Sequence, residues 1–222
     1  MKPTSQQRLL IDGTAGALET VVNDPSADVE LTAKPAPRRR GIALIAHPHP
    51  LFGGSLDNKV VQTLAKTFFA QGYVAVRMNF RGVGATAGVH DEGVGETEDW
   101  LVVVHQMRER YGSLPLLLAG FSFGAYVQSR VARRLHEHGA PATRLVLVAP
   151  AVGRFHVEPV PQDTLVIHGE EDDVVPLPEV LAWARPQRLP VVVLPGAGHF
   201  FHGSLVELQR IIQFSCSCLA AG

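Results

Sequence analysis

Six short apolar runs punctuate the chain, at residues 41–46, 74–77, 116–119, 145–148, 164–167 and 191–194. Each is continuous rather than alternating, the pattern of a strand buried on both faces. Between them lie stretches with helical spacing. Residues 58–71 carry Val60, Val61, Leu64, Ala65 and Phe68 on one side, and residues 96–111 carry Trp100, Leu101, Val104 and Met107. Residues 123–138, 178–184 and 204–219 complete the set. Such alternation predicts a mostly parallel central sheet with right-handed crossovers and helices on both faces. Residues 6–35 differ. Short apolar segments at 9–11, 18–22 and 29–31 are broken by Gly13, Gly16, Asn23 and Pro25, and read as antiparallel strands at one sheet edge. Residues 33–40, rich in Pro and Arg, read as a linker.

The 222 residues suit one α/β domain, 1–222, and 46% hydrophobic content supplies its core. A formal net charge of −1 provides no global field for nucleic acid or an anionic membrane. Arg38-Arg39-Arg40 reads as a solvated turn before a strand. Cys216 and Cys218 are too close for an unstrained disulfide and make a poor metal site, so they read as structural thiols of the last helix. No leading apolar stretch suggests a secretory signal, and no run approaches the ~18 apolar residues of a membrane span. The expectation is a cytoplasmic protein acting on a small molecule.

Parallel sheets place ligands outside the carboxyl ends of their strands, so the residues after each run carry the chemistry. One run ends in Gly120-Phe121-Ser122-Phe123-Gly124, a G-x-S-x-G pentapeptide between a strand and a helix. A turn this sharp strains the serine backbone and projects its hydroxyl toward solvent, near the positive end of the next helix. A serine hydroxyl needs a base, and the base an orienting carboxylate. Later post-strand loops supply both, in the order Ser, acid, His: Asp172 or Asp173, then His199 or His202.

With these residues in place, the chain resembles the α/β-hydrolases, and within them the small bacterial serine hydrolases that lack a cap domain. The likeness spans roughly residues 41–210. It rests on His47-Pro48-His49-Pro50 with Gly53-Gly54, on Asn79-Phe80-Arg81-Gly82-Val83-Gly84, on the serine turn and on the last two loops. The family's H-G-x-x-D-x-x-V-P pattern falls on His168, Gly169, Asp172, Val175 and Pro176, and so selects Asp172 as the acid. Its G-x-x-H loop falls on Gly196 and His199. The resemblance thus implies a catalytic triad of Ser122, Asp172 and His199.

Two backbone N–H groups are needed for a developing oxyanion. The first is expected from Phe123, the residue after the nucleophile. The second belongs to the loop after the first parallel strand, where Pro48 and Pro50 have no N–H to give. Resemblance to H-G-x loops points to His49, with Leu51 the alternative. Five loop histidines, His47, His49, His168, His199 and His202, lack the spacing of a zinc site, so no metal and no cofactor is expected. His47 and His168 are expected to shape their loops by hydrogen bonding to backbone, and Arg81 to brace its own. Asp91, Glu92, Glu96, Glu98 and Asp99 are expected to favour the start of the next helix.

Residues 150–163 are too few for a helical lid, which leaves an open cleft. Leu51, Phe52, Phe121 and Phe200 are expected to bind substrate there, with Phe123, Phe155 and Phe201 as further lining candidates. The expected activity is hydrolysis of small carboxylic esters or thioesters through an acyl-enzyme on Ser122. A serine peptidase or amidase using the same triad, and a catalytically idle binding member of the fold, are the rival readings. Dienelactone-type chemistry usually relies on cysteine, whereas position 122 is serine.

Overall fold

The computed structural model describes residues 6–27 and 39–217. In chain order the strands are β1 (Gln6–Gly13), β2 (Gly16–Asn23), β3 (Gly41–Ala46), β4 (Tyr73–Met78), β5 (Leu116–Phe121), β6 (Arg144–Val148), β7 (Leu165–Gly169) and β8 (Val191–Leu194). The helices are α1 (Lys59–Ala70), α2 (Val94–Tyr111), α3 (Phe123–Glu137), α4 (Leu177–Ala184) and α5 (Leu205–Ser217). One sheet runs in the order β1-β2-β4-β3-β5-β6-β7-β8. Strands β4, β3 and β5 to β8 are parallel, while β1 and β2 form an antiparallel hairpin that pairs through β2 with β4. All six apolar runs are therefore parallel strands. The third expected edge segment, 29–31, most of the 33–40 linker, Cys218 and the side chain of Cys216 lie outside the described residues.

Successive side chains of a strand point to opposite faces, and the buried residues divide accordingly. Ile42, Leu44, Val74, Val76, Leu116 and Leu118 join Trp100, Val104, Val127 and Val131 of α2 and α3 in one core layer. Ala43, Ile45, Ala75, Leu117, Ala119 and Phe121 join Val61, Leu64 and Phe68 of α1 and Leu208 and Ile212 of α5 in the other. A smaller cluster holds α4 through Val180 and Ala184 against Val166. Truncating a fully buried leucine such as Leu44 or Leu64 to alanine costs about 2–5 kcal/mol in such packing.

The chain leaves β3 for β4 on one side, then crosses back to β5 on the other. That reversal opens a crevice between the carboxyl ends of β3 and β5, where this class of sheet binds its ligand. Between β6 and β7 there are turns and extended chain, with no helix to cover the crevice. No described helix is long and apolar enough to cross a membrane.

Candidate active site

Ser122 follows β5 directly and has φ 56° and ψ −117°, a left-handed conformation that a side chain rarely adopts. The surroundings hold it there. Its N–H donates to the Val148 carbonyl at 2.9 Å, and its own carbonyl accepts from Ala125 N–H at 3.0 Å. A Cβ at Gly120 would collide with the Gly124 carbonyl, and one at Gly124 with the Ala46 carbonyl at the end of β3. The two glycines are thus what lets β5 turn into α3 hard against the neighbouring strand.

The loops after β7 and β8 are tied together by Glu170 N–H donating to the Leu194 carbonyl and Glu171 N–H to the Ala197 carbonyl, both at 3.0 Å. This brings Asp172 against His199. The Asp172 Oδ1 accepts from Val174 N–H at 3.0 Å and Val175 N–H at 2.7 Å, while Oδ2 accepts from His199 Nδ1 at 2.8 Å. A carboxylate only accepts, so the imidazole proton sits on Nδ1. Nε2 is then free to accept from Ser122 Oγ at 3.0 Å. All three side chains are buried. Burial pushes the Asp172 carboxyl upward, but hydrogen bonds from His199 and Val175 outweigh it and hold the group below the ordinary carboxylate range. His168 braces the loop by donating from Nε2 to the Val175 carbonyl at 2.9 Å. Asp173 and His202 are exposed, and His202 lies instead by Phe200, with ring centroids 5.9 Å apart.

Phe123 and His49 line the cleft with Ser122, and their N–H groups donate to no acceptor among the described residues. Leu51 N–H is engaged by His49 Nδ1 at 3.3 Å, and the His49 carbonyl accepts from Gly54 N–H at 3.1 Å. The whole loop is pinned from below by His47. Its Nδ1 donates to the Pro48 carbonyl at 2.6 Å and its Nε2 accepts from Phe80 N–H at 2.8 Å. Only a neutral ring makes both bonds, and burial lowers the His47 pKa to about 3. Arg81 braces its loop as expected, meeting Asp99 at 2.7 Å and Thr14 Oγ1 at 2.8 Å. Of the acids near α2, Glu96 accepts from Gly93 N–H at the helix start, whereas Asp99 and Glu98 pair with Arg81 and Arg134.

A family profile described as serine aminopeptidase, S33, matches residues 53–162. A crystal structure from Xanthomonas campestris, described as an α/β serine hydrolase without lid, shares 35% identity over 99% of this chain and 97% of that one, with a TM-score of 0.85. This chain belongs to the α/β serine hydrolases. A serine hydrolase homologue from Coxiella burnetii is 38% identical over 93% of this chain and 95% of its own, with a TM-score of 0.80. The Rickettsia prowazekii protein RP471 is 29% identical over 86% of this chain and 85% of its own length.

The hydrolase has a cleft of about 390 Å3 above Ser122 and His199, walled by Phe52, Phe123, Phe155, Val174 and Phe200. Two expected substrate contacts are elsewhere. Phe121 is fully buried, with its ring 5.0 Å below that of His199, because position 121 continues the face of β5 that bears Leu117 and Ala119. Leu51 is exposed but does not line the cleft. Phe201 is likewise in the core. Residues the sequence pattern did not single out also reach the site. Asn58 lines the cleft while its side chain caps α1 through Val60 N–H, and Arg154 lines it from the loop after β6. The buried His90 ring packs 4.6 Å from that of His49. A polar residue at an N-cap is a readable signal for Asn58; nothing local marks the other two. Among the described residues, no group of three or more His, Cys, Asp or Glu is placed to hold a metal ion.

Proposed function

We propose that the hydrolase is an esterase or thioesterase for small acyl substrates, organised as one domain over residues 1–222, with Ser122, His199 and Asp172 as its triad. One observation carries this reading: the hydroxyl, imidazole and carboxylate form a continuous line at 3.0 and 2.8 Å. His199 Nε2 takes the proton of Ser122 as Oγ attacks the acyl carbonyl. Asp172 keeps the ring in the Nδ1–H tautomer and stabilises the cation that forms. The N–H groups of Phe123 and His49 receive the oxyanion, and the start of α3 adds its positive end. His199 then protonates the departing alcohol or thiol. A water molecule, deprotonated by the same imidazole, hydrolyses the acyl-enzyme and regenerates Ser122.

The apolar walls suit an acyl group. An aminopeptidase must also hold a free ammonium, and no Asp or Glu lines the cleft among the described residues. That favours ester or thioester cleavage over the amide reading that the name of the matching profile suggests. A fluorophosphonate should label the native protein at Ser122, and turnover of 4-nitrophenyl acetate should exceed that of aminoacyl 4-nitroanilides. Ser122→Ala should abolish both labelling and turnover. Retained activity in that variant rules out the mechanism; faster anilide cleavage would install the peptidase instead.

A further inference from the structure

Several arginines of this protein meet a carboxylate, Arg39, Arg81, Arg133 and Arg144 among them. Arg154 does not. It stands in the loop after β6, exposed to solvent and lining the cleft with Ser122 and His199, and it makes no hydrogen bond or ion pair with any described residue. Glu179 packs on the neighbouring Gly153 yet forms no pair with Arg154. Among the described residues that line the cleft, Arg154 is the one Asp, Glu, Lys or Arg side chain. Its charge also reaches the oxyanion side. Burial chiefly lowers the His49 pKa, with His90 and Arg154 adding to the effect and Glu92 and Glu96 opposing it.

Resting on the esterase reading above, we infer that the preferred substrates are esters carrying an anionic group, a carboxylate or a phosphate, which Arg154 binds while the acyl chain lies against the aromatic wall. Net charge does not explain such a cation, since 20 basic and 21 acidic residues nearly cancel over the chain. A guanidinium left without an acid at the mouth of an apolar concavity has its planar fork of donors free for one incoming anion. In this cleft, a partner with a free ammonium would meet the repulsion of Arg154, with no carboxylate among the described lining residues.

The test compares two matched pairs of esters in the purified full-length protein. Mono-4-nitrophenyl glutarate against 4-nitrophenyl butyrate places the anion on the acyl side. 1-Butanoylglycerol 3-phosphate against 1-butanoylglycerol places it on the alcohol side. The native protein should show a higher kcat/KM for the anionic member of at least one pair, and rising salt should erode that preference. Arg154→Gln should lower the anionic-to-neutral ratio about tenfold, the worth of one charge-assisted hydrogen bond to a partly exposed cation. Arg154→Lys should restore part of it, and Arg154→Glu should invert the preference. The responding pair tells which half of the substrate carries the charge. Hydrolysis of the neutral esters with both ratios unmoved by Arg154→Gln overturns this inference and leaves the esterase reading standing. No turnover of any of the four esters overturns both.

Discussion

Asp172 and Asp173 are adjacent and chemically identical, yet only one of them is inside the protein. The Asp172 carboxylate accepts from two backbone N–H groups and from His199, so its orientation is fixed before any substrate arrives. Asp173 is exposed. If Asp172 sets the tautomer of the imidazole, Asp172→Asn should cut kcat by roughly three to four orders of magnitude, since an amide in that place turns the ring's acceptor nitrogen the wrong way. Asp173→Asn should stay close to the parent. Steady-state kinetics on one activated ester is enough to compare them, and an equal loss in both variants would reject the assignment. The order of acid and histidine was legible in the chain, because each ends a predicted strand. The choice within each pair came from resemblance, and the members of each pair differ in placement: Asp172 and His199 are buried, Asp173 and His202 exposed.

Between elements, the β3 loop that presents His49 is held to the end of β4 by the neutral His47 ring. Its pKa near 3, against an ordinary value of 6.5, makes that clasp sensitive to acid. The unfolded chain binds a proton at His47 between those two values and the folded chain does not. The clasp's contribution is therefore whole above pH 6.5 and shrinks as pH falls through that window, by up to about 1.4 kcal/mol per pH unit. His168, likewise lowered by burial, adds in the same direction. Asp172, depressed below its ordinary 3.8, loses its contribution only at lower pH, and the carboxyl of Glu19, lowered from 4.5, begins to lose its own only at the foot of the window. His47→Gln keeps an acceptor for Phe80 N–H but cannot titrate. Urea unfolding at pH 6.5 and 4.5 should show the variant less stable at the upper pH and less steeply weakened at the lower one. Parallel losses in both proteins would mean that His47 takes up no proton on unfolding. That His47 shapes its loop through backbone hydrogen bonds was readable from the sequence; which groups it joins, the Pro48 carbonyl and Phe80 N–H, was not. The strands were readable, because continuous burial leaves a continuous apolar run. Phe121 shows the limit of that reading: its place next to the nucleophile suggested the cleft, while the two-residue period it shares with Leu117 and Ala119 carried it into the core.

At the scale of the whole molecule, two core layers clamp one sheet, and the site is assembled at its open edge from loops that each follow a different strand. Parallel strands with helices on both faces were legible in the alternation of runs and helices, but Arg154 at the crevice was not. Whether Arg154 has a partner depends on residues distant in the chain, which no local pattern records. The absence of helix between β6 and β7 has a kinetic consequence. An enzyme whose lid must open on contact with an aggregated substrate accelerates abruptly once that substrate passes its solubility limit, because a closed population is recruited. Here Ser122 already faces a cleft of about 390 Å3 walled by partly exposed aromatic rings. The rate on 4-nitrophenyl butyrate should follow a simple saturation curve through the solubility limit, with no upward break, and detergent micelles should not stimulate it. A sharp rise at that limit would show that some segment closes over the crevice in solution, and the open cleft would then be one of two states of the protein.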